Sequence, residues 1–97
     1  MQRPYEVMYI LDSRLDDENQ KKIHQRVNET IAKIGGKVEK TESLGRKKLA
    51  YPIKKQNDGL YMLTHFEADT QSLDELQRVM GITDGLLRHL VVRKDEP

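Results

Sequence analysis

A chain of 97 residues is one domain's worth of polypeptide, and residues 1–97 are expected to form a single domain. Hydrophobic residues make up 36% and charged residues 34%, so the core is thin and the surface heavily solvated. Seventeen Lys and Arg against sixteen Asp and Glu leave a net charge of +1, which argues against a globally basic nucleic-acid binder; any electrostatic footprint must come from segregated charge.

The absence of cysteine removes a disulfide framework, a thiol nucleophile, a Cys-bearing zinc site and an iron–sulfur cluster. The start Met1-Gln2-Arg3-Pro4-Tyr5 has no apolar secretory core. The longest apolar stretch, Val7 to Leu11, is far short of the ~20 residues that span a bilayer. A soluble, intracellular protein without a membrane partner is expected.

In chain order, Tyr5 to Leu11 is β-branched and aromatic and reads as a central strand. Asp12-Ser13-Arg14 breaks it. Residues 16–34 read as a helix, because Ile23, Val27, Ile31 and Ile34 recur at steps of four, four and three, with Thr30 off that stripe. Asp16, Asp17 and Glu18 suit the positive end of its dipole, and Gly35-Gly36 suits its end. Lys37 to Lys55 shows no helical stripe and reads as a long strand interrupted near Gly45; Pro52 confines it to a sheet edge or a bulge. Asn57-Asp58-Gly59 is the hairpin turn signal.

Leu60 to Ala68 is the return strand, with Met62, Thr64, Phe66 and Ala68 on one face and Tyr61, Leu63, His65 and Glu67 on the other. Ser72-Leu73-Asp74-Glu75 offers a capping box for a short helix striped by Leu73, Leu76, Val79 and Met80. Leu86 to Arg93 is the last strand, and the tail Asp95-Glu96-Pro97 is expected to fray. The order β-α-β-β-α-β is the α+β, ferredoxin-like, split β-α-β arrangement. Right-handed crossovers put both helices on one face of a four-stranded antiparallel sheet of order 4-1-3-2. The other face then lacks a helix cover, yet carries Met8, Ile10, Tyr61 and Leu63. An open apolar face of this kind points to a partner.

Charge is segregated locally. From Leu44 to Lys55 the chain carries Arg46, Lys47, Lys48, Lys54 and Lys55 and no acid. Edge protection explains cations on an edge strand, but it accounts poorly for the apolar insert Leu49-Ala50-Tyr51-Pro52-Ile53 between the two basic runs. Basic flanks around an exposed aromatic suit a surface meeting phosphate on one side and protein on the other. A second group, Arg88, Arg93 and Lys94, sits on or beside the last strand.

Catalysis is hard to build: His24, His65 and His89 lack metal-ligand spacing, and no nucleophile-elbow or phosphate-cradling motif is present. No metal or cofactor is called for. An RNA-recognition motif is disfavoured by Leu60 and Met62, which stand where stacking rings belong. An acylphosphatase-like site is disfavoured by the acids of Asp12-Ser13-Arg14-Leu15-Asp16-Asp17, which repel phosphate. The rival class is a small-molecule-sensing or dimerising module of the same fold.

On these residues the chain resembles the bacterial small-subunit ribosomal protein six family over residues 3–94. The most specific piece is Leu44-Gly45-Arg46-Lys47-Lys48-Leu49-Ala50-Tyr51-Pro52-Ile53-Lys54-Lys55, similar to the family pattern W/L-G-R-R-x-L-A-Y-P-I-x-K. Arg3-Pro4-Tyr5-Glu6 and the run Asp84 to Arg93 match in register. The resemblance implies a non-catalytic constituent of the platform of the 30S subunit in the cytoplasm. It implies binding to the central domain of 16S rRNA together with small-subunit ribosomal protein eighteen, with no DNA partner. Carried onto this chain, it implies that Leu49, Ala50, Tyr51, Pro52 and Ile53 face the partner protein. It places Arg46, Lys47 and Lys48 near the boundary of partner and RNA, and Arg3, Tyr5, Arg88 and Arg93 toward rRNA.

Overall fold

The computed structural model describes residues 2–53 and 55–94; Lys54 of the second basic run, and the tail Asp95-Glu96-Pro97 expected to fray, lie outside the described residues. The elements are β1 (Gln2–Asp12), α1 (Asp17–Lys33), β2 (Lys37–Ile53), β3 (Gln56–Asp69), a 3-10 turn (Thr70–Ser72), α2 (Leu73–Gly81) and β4 (Leu86–Arg93). All sheet pairings are antiparallel, in the order β2-β3-β1-β4, which is the expected 4-1-3-2 read from the other edge.

Alternation along β1 sets the two faces of the sheet. Tyr5, Val7, Tyr9 and Leu11 are buried against the helices, while Glu6 and Met8 point to the opposite, open face together with Ile10. Opposed residues in an antiparallel pair share a face, so the pairings Tyr5 with Phe66 and Val7 with Thr64 carry the core onto β3. Ile23, Val27 and Ile31 of α1 and Leu76 and Met80 of α2 close that core.

The first helix begins as its sequence requires. Asp16 caps it, accepting from the Asn19 backbone N–H at 2.9 Å, and Asp17 and Glu18 occupy the first turn. It ends at Ile34, followed by Gly35 at φ +85°, the left-handed geometry glycine tolerates best. Thr30 departs from the expectation: it is buried beside Ile31, which its hydroxyl permits by donating back to the Arg26 carbonyl at 2.7 Å.

Two local signals are overruled by tertiary structure. The capping box at Ser72 does not form, because Ser72 is itself in helical geometry and makes no side-chain cap. Asp69 caps instead, accepting from the Gln71 N–H at 3.2 Å and starting a 3-10 turn that runs into α2. The hairpin turn is not at Asn57-Asp58-Gly59. Those residues belong to β3, where Asp58 and Gly59 pair with Lys48 and Lys47. The reversal lies between Ile53 and Gln56, which pair with each other, and Lys55 takes φ +66° there.

Candidate functional site

The displaced turn creates the most distinctive surface of the molecule. Between the pairs Lys48–Asp58 and Ile53–Gln56, four residues of β2, Leu49 to Pro52, stand against Asn57 alone on β3. The surplus backbone arches off the sheet, and Pro52 sits where no ladder N–H is needed. The arch bends over the open face, carrying Tyr51 across to the opposite edge strand, where Arg88 of β4 lies 5.3 Å from the Tyr51 ring centroid. A cation over an aromatic face is attracted by the ring's quadrupole, so this contact ties together two strands that two others separate.

Under the arch is a hollow of about 260 Å³, with Met8 and Ile10 of β1, Leu49, Tyr61 and Leu90 in its lining. Its floor depends on Gly59: a Cβ there would run into Ile10 Cγ2 and come within 3.6 Å of Leu49 Cδ2. At its margin Lys47 Nζ lies 5.8 Å from the Tyr61 ring centroid. Large apolar side chains stay open to solvent on this face, with Tyr51 at 53%, Leu90 at 56% and Val92 at 44% exposure.

The residues expected to meet a partner protein are therefore gathered here, with one difference. Ala50, Tyr51 and Pro52 are exposed on the arch and Ile53 is half-buried, but Leu49 is buried and serves as a wall of the hollow.

The residues expected to meet RNA do not form one patch. Tyr5 is a correction: only 3% of it is exposed, its ring stacks 5.8 Å from that of Phe66, and its hydroxyl is hydrogen-bonded to Thr70 Oγ1 at 2.6 Å. It is a core residue, because it shares the inward parity of Val7 and Tyr9. Arg88 and Arg93 lie on opposite faces of β4, since Arg88 pairs with Ile10 on the open face and Arg93 with Tyr5 on the helix face. Arg3 pairs with Ala68 and so shares the helix face with Arg93, at the same end of the sheet. The basic run on β2 alternates too. Lys47 pairs with Gly59 on the open face, while Arg46 and Lys48 pair with Leu60 and Asp58 on the other.

The run sits at the far end of β1 from Arg3. Nine residue steps along the strand lead from Arg3 to Asp12, roughly 30 Å at about 3.3 Å per step. Arg46 is partly occupied: its Nη2 donates to the Ser13 carbonyl at 3.2 Å, and its Nε lies 3.9 Å from Asp58. Ser13 Oγ in turn donates to Asp58 at 2.9 Å. Beside them Arg14 donates to both carboxylate oxygens of Asp12, at 3.2 and 3.1 Å, and holds the Asp12 pKa down to about 2. The loop after β1 is thus closed by its own charge pairs.

Two of the three histidines, His24 and His65, are structural partners, while His89 lies in the lining of the hollow. His24 Nδ1 is hydrogen-bonded to the Tyr9 hydroxyl at 3.2 Å, and burial pushes its pKa down. His65 does reach the open face, but its Nε2 donates to Glu42 at 3.0 Å and its Nδ1 accepts from Lys94 at 3.1 Å.

Sequence reasoning missed Leu90 and Val92, because Leu86 to Arg93 is apolar at both parities. The strand carries no signal for them: the β-bulge at Ile10/Leu11 changes the parity of β4 after Leu86 and is invisible in the strand's own residues.

Comparison with known proteins places this architecture. The sequence profile of the family described as ribosomal protein S6 matches residues 4–93. Small ribosomal subunit protein bS6 of Caldanaerobacter subterraneus is 40% identical over 94 residues, covering 97% of this chain and 99% of that protein. The protein of the same description from Clostridium novyi is 44% identical over 94 residues, with the same coverage. Among solved structures, 30S ribosomal protein S6 of Thermotoga maritima superposes with a TM-score of 0.90 at 34% identity, covering 97% of this chain and 89% of that one. An uncharacterized protein of the same organism, at 17% identity and a TM-score of 0.56, shares the fold alone.

Proposed function

The chain belongs to the ribosomal protein S6 family, and from that premise we propose that it is a structural constituent of the small ribosomal subunit that binds the central domain of 16S rRNA jointly with small-subunit ribosomal protein eighteen. The observation that carries the ribosomal role is the match over residues 4–93. The observation that favours a protein partner is the apolar face left without a helix, with Tyr51, Leu90 and Val92 exposed on it.

The work is binding, with no bond made or broken. The partner protein covers the arch, Ala50 to Ile53, and the hollow beneath it. Arg3 and Arg93, on one face at one end of the sheet, meet phosphates of the RNA, which fix orientation without reading sequence. Lys47 and Lys48, at the other end, border the partner, where a composite surface offers RNA more cations than either protein alone. Arg88 is assigned to the protein side, because Tyr51 draws it over the hollow.

The test is sedimentation of the tagged full chain with ribosomes through a high-salt sucrose gradient. The reading expects the chain to travel with the small subunit. Recovery only at the top of the gradient, as a free dimer, would favour the rival dimerising module and overturn it.

A further inference from the structure

The hollow under the β2 arch has a size, a lining and a charge, and together they specify what enters it. We infer that it is a socket for one large apolar side chain of the docking protein, presented by a segment that also carries a carboxylate to meet Arg88. This rests on the reading that a second protein covers the arch, and deepens it by naming the chemistry of the contact.

The socket is formed before any partner arrives. Its roof, Tyr51, is held by Arg88 from across the sheet, and its floor, Met8 and Ile10, belongs to the central strand β1. A cavity of about 150 Å³ lined by aliphatic side chains suffices for benzene. A hollow of about 260 Å³ therefore holds a leucine-, phenylalanine- or tryptophan-sized group, and is too small for a helix. Seating one such group in a dry pocket ringed by polar residues is how interfaces concentrate binding energy.

Charge selects the neighbour of that group. Among the described lining residues Arg88 alone carries a permanent charge, and Lys47 adds a second cation beside Tyr61. Glu6 and Glu42 share this face but sit around His65, and Lys40 lies 3.1 Å from Glu42. The rim is thus positive where the floor is apolar, and a carboxylate beside the inserted group complements it. Tyr51, Tyr61, Arg88 and His89 also line the hollow, but its floor and walls of Met8, Ile10, Leu49 and Leu90 offer nothing to the polar edges of a base and favour an apolar side chain.

The experiment measures binding of the full chain to purified protein eighteen by calorimetry at two salt concentrations, and separately to a central-domain rRNA fragment. Ala50→Trp fills the hollow from its exposed rim, Arg88→Glu reverses the rim charge, and Ile82→Ala trims an exposed apolar residue outside the hollow as a control. The socket predicts at least tenfold weaker binding to protein eighteen for each of the first two and no change for the control. It also predicts that the Met8 and Ile10 methyl resonances of the unaltered chain shift when protein eighteen is added. Unchanged affinity in both socket variants, or methyl resonances that stay still in a formed complex, overturns the socket and leaves the partner reading standing. Loss of RNA binding alone in the two variants also overturns it, in favour of a nucleobase. If the unaltered chain does not bind protein eighteen at all, the partner reading fails and the socket fails with it.

Discussion

Tyr5 shows how one step of parity changes a residue's role. Grouped by position with Arg3, it belongs to a terminal segment facing RNA; placed by alternation with Val7 and Tyr9, it belongs to the core, and the structure puts it there. Its hydroxyl is tied to Thr70 at the start of the 3-10 turn. Tyr5→Phe should therefore cost about 1 kcal/mol of stability, the ordinary net value of a hydrogen bond, and leave RNA affinity unmoved; chemical denaturation and filter binding on the same variant check both halves. Asp12 gives a pH prediction. The Arg14 side chain holds its folded pKa at about 2, below the ordinary 3.8, so the stabilisation is complete above the ordinary value and is lost as pH falls from 3.8 toward 2. The Arg14 side chain is 76% exposed, so the effect is small. Asp12→Asn should flatten that part of the acid-unfolding curve, and an unchanged acid limb would contradict the pairing.

At the scale of elements, the parts legible in the sequence are those in which local pattern and tertiary burial agree. Ile23, Val27 and Ile31 mark α1 because a helix needs one stripe and the core accepts that stripe. Pro52 announces an edge or bulge because proline lacks the donor a ladder requires, and it stands in the arch of an edge strand. The tip of the hairpin was not legible. Asn57-Asp58-Gly59 is a strong turn signal taken alone, but Asp58 is claimed by Ser13, and Gly59 is needed where Ile10 and Leu49 converge. The turn moves to Lys55, which has no intrinsic reason to adopt a positive φ. Lys55→Gly should thus be neutral or stabilising by up to about 1 kcal/mol, since glycine adopts that geometry without a Cβ penalty but loses more entropy on folding. Gly59→Ala should destabilise by about 1–3 kcal/mol through overpacking. Thermal melts of the two variants check the pair, and the opposite ordering would return the turn to residues 57–59.

For the molecule as a whole, the sequence revealed how many cations there are but not how the sheet distributes them. Arg3 and Arg93 share one end and one face; Arg46, Lys47 and Lys48 lie at the other end and on both faces; Arg88 lies over the hollow. Only about three cations can reach one stretch of RNA backbone, so the chain alone should show a log–log salt slope of only about −2 to −3 and bind weakly near physiological salt. On the proposed reading, a basic second protein seated on the apolar face would add both contact area and positive charge. On the proposed function, RNA binding is cooperative through the arch. Its most direct test is titration of central-domain rRNA, at two salt concentrations, with this chain, with protein eighteen, with both, and with both when Tyr51→Asp places a charge on the arch. Weak binding by this chain alone, tight binding by the pair, and loss of that gain in the Tyr51→Asp variant are the expected outcomes. Tight, salt-insensitive binding by this chain alone, or a pair that Tyr51→Asp fails to uncouple, would contradict cooperativity through the arch.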